Sequence, residues 1–454
     1  MKKFLLAIIN FSFLCCSFEE TACYQIKLLR EDVSEEDASS SKNKKDKKDK
    51  ENANQTLDLF FNGGAAANGL DAFGDSLVSF SESDPNSAKT SQTNVYDDVA
   101  KRLAGIYIPN DALGSQSRVD YANFVEKSWL KLEESSLSKI KEWAATNIAP
   151  RLGEANAVFY PFGGPDIAYA LRFFPKAQTY VLLGLEPIGS FDDIKKNVDS
   201  EGTFIALKEA ASWYLEKGYF ITSQMATQLS NRNIRGVLYL MLIELVKSGY
   251  TITLVEDLSI DAEGQEVPRQ IGAVDCVKIT FAPNEGGAAK TAYYIRCNLL
   301  DSNRKLSNLF NFVKRLKFAT FIKSASYVLH DKSASKMKNF ILENSAAILQ
   351  DDTGVPFKSF DAKWDKYVFG EYDKPTLPIF DIYQQKDLAD YFKSQNPAKI
   401  PFKIGYGFNK ERPNLTLAVP TRRDGEGCPC KNNQTPPPIS SSSNEAKDPN
   451  GEEA

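Results

Sequence analysis

The sequence predicts an α/β protein: a mixed, largely parallel sheet flanked by helices in a Rossmann-like three-layer arrangement, with one β-hairpin and disordered ends. Between Val158 and Gly189 the chain reads as apolar strand, glycine turn, helix and second apolar strand, which is typical of parallel strands joined by a crossover. Two β-type runs, 274–281 and 291–299, flank a Pro-Asn-Glu-Gly-Gly turn and predict an antiparallel hairpin. No repeat of 20–50 residues is visible, which argues against a solenoid or propeller.

The other elements follow from periodicity and from glycine or proline at segment ends. Helices are predicted over 95–106, 121–146, the segment after Pro165, 203–217, 234–247, 309–316 and 337–343, with 190–197 a loop or short helix. Further strands are predicted over 250–256, 319–329, 346–350, 367–369, 402–406 and 415–419. Together they predict one α/β domain over residues 94–421.

The segments outside this domain have other signatures. Residues 1–22 combine two early lysines, an apolar run and a small-residue end at Ala22, as in a secretory signal peptide. Residues 23–93 hold a Lys/Asp-rich stretch and a Gly/Ser-rich stretch, and 422–454 are rich in proline, serine and acid. Such composition buries too little apolar area to order the chain, so a disordered tether and tail are expected.

Export is therefore the expected fate, to the periplasm, the outer envelope or the medium. The N-terminal apolar run is shorter than the ~20 residues of a bilayer span, and the apolar segment 234–246 has the length of a buried helix. No transmembrane helix is expected in the mature chain. A lipid anchor on Cys15, Cys16 or Cys23 is the less favoured alternative, because the leucine-and-small-residue pattern of lipoprotein processing is absent.

Composition excludes some partners. The net charge is −4, from 55 basic and 59 acidic residues, which is too balanced to indicate a nucleic-acid partner. The chain has one histidine, which excludes zinc sites built from several imidazoles. No metal site is predicted.

Two cysteines lie in the predicted hairpin. If its turn is centred near Glu285 and Gly286, Cys276 and Cys297 fall almost opposite each other, within reach of a disulfide. Two reduced thiols in the core are the equal alternative.

The Pro-Phe-Gly-Gly-Pro-Asp turn is open to two interpretations. Gly163 and Gly164 after the first strand, with Glu186 after the second, match the outline of a dinucleotide or methyl-donor site. The full G-x-G-x-x-G is absent, Pro165 lacks an N–H, and Asp166 would repel a pyrophosphate. The alternative is a turn and helix start with no ligand.

Acidic residues also follow other apolar strands. Asp166, Glu186, Asp351 and Asp352 are the candidate catalytic or binding carboxylates, because parallel strands in α/β sheets bind ligands at their carboxyl ends. The commoner explanation of Asp351 and Asp352 is that they are turn residues before Gly354. His330 is a further candidate as a general base, but the sequence locates neither the acid nor the nucleophile it would need.

Six motifs taken in order resemble a family of exported bacterial proteins of uncharacterised activity. They are YPFGGPD, YVLLGLEPIG, FIKSASYVLH, ILQDDTGVPF, WDKYVFGEYDKP and IPFKIGYGF, and they cover residues 97–419. The resemblance implies export and a single α/β domain and supplies no catalytic residues.

The leading hypothesis is an exported envelope or secreted protein with an acidic pocket for a small molecule or envelope ligand at the strand carboxyl ends. The alternatives are a Rossmann-like, methyltransferase-like enzyme and a non-catalytic surface interaction module. The residues identify no cofactor and leave open whether the protein is an enzyme.

Overall fold

The structure is a computed structural model, and it describes residues 94–108, 115–217, 235–406 and 412–421. The predicted signal peptide, the tether and the tail lie outside these residues.

The described chain contains a single ten-stranded mixed sheet. Its strands are β1 (Ala157–Tyr160), β2 (Thr179–Gly184), β3 (Tyr250–Ile260), β4 (Glu266–Pro268), β5 (Val274–Pro283), β6 (Lys290–Arg296), β7 (Phe318–Ile322), β8 (Ala347–Gln350), β9 (Trp364–Gly370) and β10 (Asn414–Pro420). Their order across the sheet is β4-β3-β5-β6-β2-β1-β7-β8-β10-β9.

The five central strands, β6-β2-β1-β7-β8, are parallel to one another. β1 and β2, which flank the glycine turn, pair in register with Phe159 opposite Val181. On one side β5, β3 and β4 extend the sheet with antiparallel pairs, and on the other β10 pairs antiparallel with both β8 and β9. The mixed α/β sheet is thus as predicted.

The prediction of a largely parallel sheet was wrong, because five of the nine strand pairs in the described chain are antiparallel. The additional strands β3 to β5 lie between β2 and β6 in the sequence. Tight turns join β3, β4 and β5, and antiparallel neighbours need no crossover helix. The sequence pattern predicted β3 and β5 as strands, and β5 as antiparallel to β6, but it gave no direction for β3 and did not predict β4.

Ten α-helices accompany the sheet in the described residues. They are α1 (Val95–Leu103), α2 (Gln116–Leu132), α3 (Ser138–Asn147), α4 (Ile167–Phe173), α5 (Phe191–Asn197), α6 (Glu201–Lys217), α7 (Leu238–Lys247), α8 (Leu306–Val313), α9 (Ser335–Asn344) and α10 (Lys386–Gln395). A π-helical turn, Glu133–Leu137, joins α2 to α3, in the segment where a helix or a helix pair was predicted.

Alternating side chains of the central strands enter two apolar cores. Val158 and Tyr160 of β1 pack with residues of α1 to α4, α6 and α7. Ala157 and Phe159 pack with residues of α8 and α9. The strands are therefore buried on both sides, which explains why the central segments read as continuous apolar runs.

Three local predictions need correction. The strand predicted over 319–329 ends at Ile322, after which Lys323 begins a loop. The segment 402–406 has no strand, and β4 and α10 were not predicted.

No helix within the described ranges is long and apolar enough to span a bilayer.

Candidate functional site

The glycines of the β1–α4 turn are required by its tight path. A Cβ on Gly163 would lie 2.6 Å from the ring of Tyr160. Gly164 has a φ of +54°, and its N–H donates to the carbonyl of Leu183 in β2 at 2.9 Å. Since only glycine adopts such a backbone without strain, the turn itself accounts for both residues. The N–H of Gly164 is therefore engaged within the protein.

The first turn of α4 is occupied by a carboxyl group from another helix. A side-chain oxygen of Glu244, in α7, accepts from the N–H of Ala168 at 2.8 Å, and its other oxygen, Oε1, is buried without a hydrogen bond. Burial, and then the nearby charge of Asp166, raise the pKa of Glu244 well above its usual value. This internal carboxyl group stands where a phosphate would bind in a dinucleotide site, so the geometry disfavours a pyrophosphate there.

Asp166, just before α4, forms a buried ion pair with Lys323, just after β7. Their side chains are 2% and 3% exposed, and the Lys323 Nζ lies 2.6 Å from Asp166 Oδ2. The Tyr160 hydroxyl donates to the same oxygen at 2.9 Å. The ammonium also lies 3.6 Å from the ring centroid of Tyr169. A charged group buried in the protein interior is stabilised by close partners of this kind, because water is excluded from it.

Asp351 follows β8 and joins the same edge of the sheet. Its carboxylate accepts from the N–H of Ser324 at 2.8 Å and from the N–H and hydroxyl of Thr353 at 3.0 and 2.5 Å. Burial, and then repulsion from Asp352, raise the pKa of Asp351 to about 7, although the hydrogen bonds act in the opposite direction. This carboxyl group therefore changes charge near neutral pH.

Asp352 is held by polar side chains from two other segments. Its carboxylate accepts from the hydroxyl of Tyr327 and, at 2.8 Å, from the amide nitrogen of Asn414. The backbone N–H of Asp352 donates to the amide oxygen of Asn414 at 2.9 Å. Burial raises its pKa above the usual value, while these bonds lower it. Asp351 and Asp352 thus lie side by side in one hydrogen-bonded network.

The loop 323–330, named here the β7 loop, has an unusual backbone. Ser324, Ser326 and Tyr327 have φ values of 56°, 50° and 59°, in the left-handed region that non-glycine residues seldom adopt. Tyr406 steadies the loop: its hydroxyl lies 2.5 Å from that of Ser326 and donates to the carbonyl of Ser324 at 3.0 Å. The Oγ of Ser324 is buried and has no hydrogen-bond partner in the part of the chain that the structure describes. Backbone strain of this kind concentrates at functional sites.

Glu186 lies apart from the other three carboxylates. It follows β2, and the Tyr294 hydroxyl of β6 lies 3.1 Å from both its Oε2 and its carbonyl oxygen. A Cβ on Gly184 would meet both groups within 2.5 Å. The structure therefore joins Asp166, Asp351 and Asp352 through Lys323 and Ser324, and it places Glu186 on the β6 side of β2.

His330 lacks the partners of a catalytic base. Its ring packs edge-on against Tyr327 and Tyr383, and its Nε2 is buried without a hydrogen bond. Burial lowers the pKa of His330 to about 4, opposed by a hydrogen bond with the backbone of Gly354. The ring is neutral at pH 7, and no serine or acid is hydrogen-bonded to it within the described residues.

The two hairpin cysteines are free thiols. The hairpin pairs Cys276 with Ile295, so Cys297 lies two residues beyond the opposing position. Burial raises the pKa of the Cys297 thiol to about 12. The alternative of two reduced core thiols describes this pair.

Within the described ranges no group of three or more potential ligand side chains could hold a metal ion.

Sequence reasoning missed two charged residues of this site. Lys323 ends the apolar run Phe-Ala-Thr-Phe-Ile, and Glu244 interrupts the apolar helix α7. A single charge inside an apolar segment indicates a buried, paired group, and this signal was present in both cases.

Comparisons with known proteins gave no match: no family model, no curated protein and no solved structure is detectably similar to this chain. The resemblance to an exported bacterial family stays a prediction.

Proposed function

We propose that the protein is a Rossmann-like enzyme that binds a small polar molecule at the carboxyl ends of β1, β7 and β8, with Asp351 as the group that exchanges a proton. The observation that carries the proposal is the buried network from Asp166 through Lys323 and Ser324 to Asp351.

The position of this network in the sheet supports the proposal. Numbered along the chain, the five parallel strands have the order 3-2-1-4-5, the order of doubly wound nucleotide-binding sheets. In such sheets ligands bind outside the carboxyl ends of the strands, where the order reverses. Here the reversal lies between β1 and β7, the strands that precede Asp166 and Lys323. Strand order alone does not determine the chemistry, which depends on the residues at the site.

The charges of the network favour acid–base chemistry. The described carboxyl groups at this edge are Asp166, Asp351, Asp352 and Glu244, and the buried cation among them is Lys323. Where buried acids outnumber buried cations, some of the acids must be protonated. The raised pKa values of Glu244, Asp351 and Asp352 agree with this. A carboxyl group with a pKa of about 7 donates and accepts protons equally well at neutral pH, the condition for an efficient general acid or base.

The β7 loop supplies the contact to the ligand. Among the described residues Ser324 Oγ has no hydrogen-bond partner, although it lies on the residue whose N–H binds Asp351. A buried hydroxyl without a hydrogen bond is costly, by about 1–3 kcal/mol, and a bound polar ligand would relieve that cost. We therefore assign Ser324 Oγ to ligand binding beside Asp351.

Ser324→Ala tests this assignment, with Ser326→Ala as the control. Both changes remove one hydroxyl from the same left-handed loop, but only the Ser326 hydroxyl has a partner in the protein, Tyr406. Ligands are sought as compounds from a library of polar metabolites that raise the melting temperature of the wild-type protein at millimolar concentration. The proposal expects this shift to be lost in Ser324→Ala and kept in Ser326→Ala. The absence of any such compound, or equal shifts in both variants, would contradict it.

A nucleoside-containing cofactor is a second candidate, favoured by the position of Glu186 just after β2, where an acid binds ribose hydroxyls in doubly wound sheets. Glu186 would then bind the ribose, in place of its contact with Tyr294. S-adenosylmethionine, which contains no pyrophosphate, should raise the melting temperature of the wild type at millimolar concentration and not that of Glu186→Gln. No shift of the wild type would exclude this candidate.

The proposed location is outside the cytoplasm, on the basis of residues 1–22. Expression of the full chain in a bacterium, followed by cell fractionation and mass spectrometry, tests it. Cleavage near Ala22 and recovery in the envelope or medium are expected. An intact N-terminus in the cytoplasmic fraction would contradict export.

A further inference from the structure

A second site lies beyond the carboxylate network, at the end of β9. It is a cavity of about 360 Å³, lined by residues of the π-helical turn Glu133–Leu137, the start of α3, the end of β9 and the segment 399–403. This volume falls at the lower end of the range for small-molecule pockets, about 300–1,000 Å³. None of its lining residues is among the acids discussed above, so it is a site of its own.

The floor of the cavity is apolar and held by packing. Phe402 is buried, and its ring meets Trp143 edge-on with the centroids 5.4 Å apart. Ile400, also buried, belongs to the same core. Gly370 has a φ of +86°, and a Cβ there would lie 1.9 Å from the carbonyl oxygen of Pro413, so the floor requires glycine at this position. A floor of this kind is preformed and favours an apolar body.

The rim carries an excess of positive charge. Lys139, Lys399 and Lys403 line it, against one acid, Glu371. Lys399 pairs with Glu371 at 3.0 Å. Lys139 and Lys403 have no ion pair within the described part of the chain. Two unpaired ammonium groups above an apolar floor suit a ligand with an anionic head.

One wall of the cavity includes a π-helical turn. Ser135 lies in the π-helical turn Glu133–Leu137, between α2 and α3. Single π-helical turns within α-helices are frequent at functional sites. The insertion sets the orientation of α3, which begins at Ser138 and carries Lys139 on its first turn.

We infer that this cavity binds a small organic anion, with an aromatic or aliphatic body on Phe402 and Ile400 and a carboxylate or sulfonate head between Lys139 and Lys403. The site does not depend on the proposed acid–base function. The ligand class follows from two separate observations, the apolar floor and the cationic rim.

The probe for the test is 8-anilinonaphthalene-1-sulfonate, an aromatic anion whose fluorescence rises on binding. It is titrated into the full-length protein, with benzoate, benzyl alcohol and inorganic phosphate as competitors. The test variant is Lys139→Gln/Lys403→Gln. The control is Lys141→Gln/Lys393→Gln, which removes the same charge from two exposed lysines that do not line the cavity. Melting temperatures of all variants confirm that they are folded.

Saturable binding is expected, displaced by benzoate and not by benzyl alcohol or phosphate. The Lys139→Gln/Lys403→Gln variant should bind at least about tenfold more weakly, and the control within about twofold of the wild type, because only the first pair contacts the head group. Equal affinities in the two variants would overturn the inference. So would the absence of saturable binding, or displacement by benzyl alcohol or phosphate as effective as by benzoate.

Discussion

The ammonium of Lys323 lies 2.6 Å from the carboxylate of Asp166. Lys323 begins the loop after β7 and Asp166 ends the loop between β1 and α4, and these two loops lie on either side of the point where the strand order reverses. The pair joins two crossover units of the sheet. The two residues are 157 positions apart in the sequence, from 166 to 323. Both side chains are almost fully buried, so each depends on the other for its charge.

Lys323→Met should destabilise the protein by about 3–5 kcal/mol, because it leaves the Asp166 charge buried without its cation. Urea unfolding at pH 7 measures the change in the free energy of unfolding. The double variant Asp166→Asn/Lys323→Met should recover part of the loss. Lys317→Met, which removes a fully exposed lysine six residues earlier, should unfold as the wild type does. A Lys323→Met protein as stable as this control would refute the role of the pair.

Stability should fall as pH rises between about 4 and 7, through Asp351. The folded-state pKa of about 7 lies above the usual value of 3.8, so the folded state binds more protons than the unfolded state in this range. Its stabilising contribution is complete below pH 4 and lost as pH passes 7. Asp352 and Glu244, with raised pKa values, act in the same direction. His330, with its pKa lowered to about 4, acts in the opposite direction below pH 6.5.

The difference between wild type and Asp351→Asn isolates this group. The free energy of unfolding of the wild type, minus that of the variant, should decrease from pH 4 to pH 7 and then level off. Urea unfolding at each pH measures it. A difference that stays constant, or grows with pH, would show that the Asp351 pKa is not raised on folding.

Glu244 should matter as a hydrogen-bond acceptor and not as a charge. Glu244→Gln keeps an oxygen that accepts from the N–H of Ala168, and it replaces a buried acid by a neutral amide. The free energy of unfolding should therefore change by less than about 1 kcal/mol. Glu244→Ala leaves that N–H unsatisfied in a buried site and should destabilise the protein by about 1–3 kcal/mol. Thermal and urea unfolding compare the two variants. If both lost the same stability, the charge of Glu244 would be the important feature.

Gly184→Ala should disturb the contact between Tyr294 and Glu186. The added Cβ would lie 2.4 Å from the Tyr294 hydroxyl and 2.5 Å from Glu186 Oε2, and such overpacking destabilises by about 1–3 kcal/mol. Gly202→Ala, in α6, is the matched control: a Cβ there meets nothing within 4 Å, and alanine favours a helix over glycine. Opposite effects of the two changes on the melting temperature are expected. Equal melting temperatures would mean that Glu186 and Tyr294 do not lie over Gly184.

The sequence was sufficient for the parallel pair β1–β2 and for the antiparallel pair β5–β6. Apolar runs, glycine turns and capping residues act over short distances, and these define such units. The central strand order could not be obtained in this way, because it depends on which strands meet across long connections. β3 illustrates this: it reads as an ordinary strand, while its position beyond β5 depends on pairing that no local pattern encodes.

The candidate site was predicted in part. Acids after apolar strands indicated Asp166, Asp351 and Asp352, because strand ends of a parallel block meet at one edge. Lys323 was missed because lysine is usually exposed, although its place directly after an apolar run was a signal of burial. Glu186 follows the same rule as the other acids, yet Tyr294 holds it towards β6. The direction of a side chain is a tertiary property that strand-end position does not determine.

The pKa of Asp351 tests the account most directly. Carbon-13 NMR of labelled aspartate carboxyl groups, with the Asp351 signal assigned by comparison with Asp351→Asn, gives this value in the folded protein. We predict a pKa of about 7, as burial and the adjacent Asp352 require. A value near 4 would show that the carboxyl group is solvated and permanently ionised at neutral pH, and it would contradict a proton-exchanging site at this edge of the sheet.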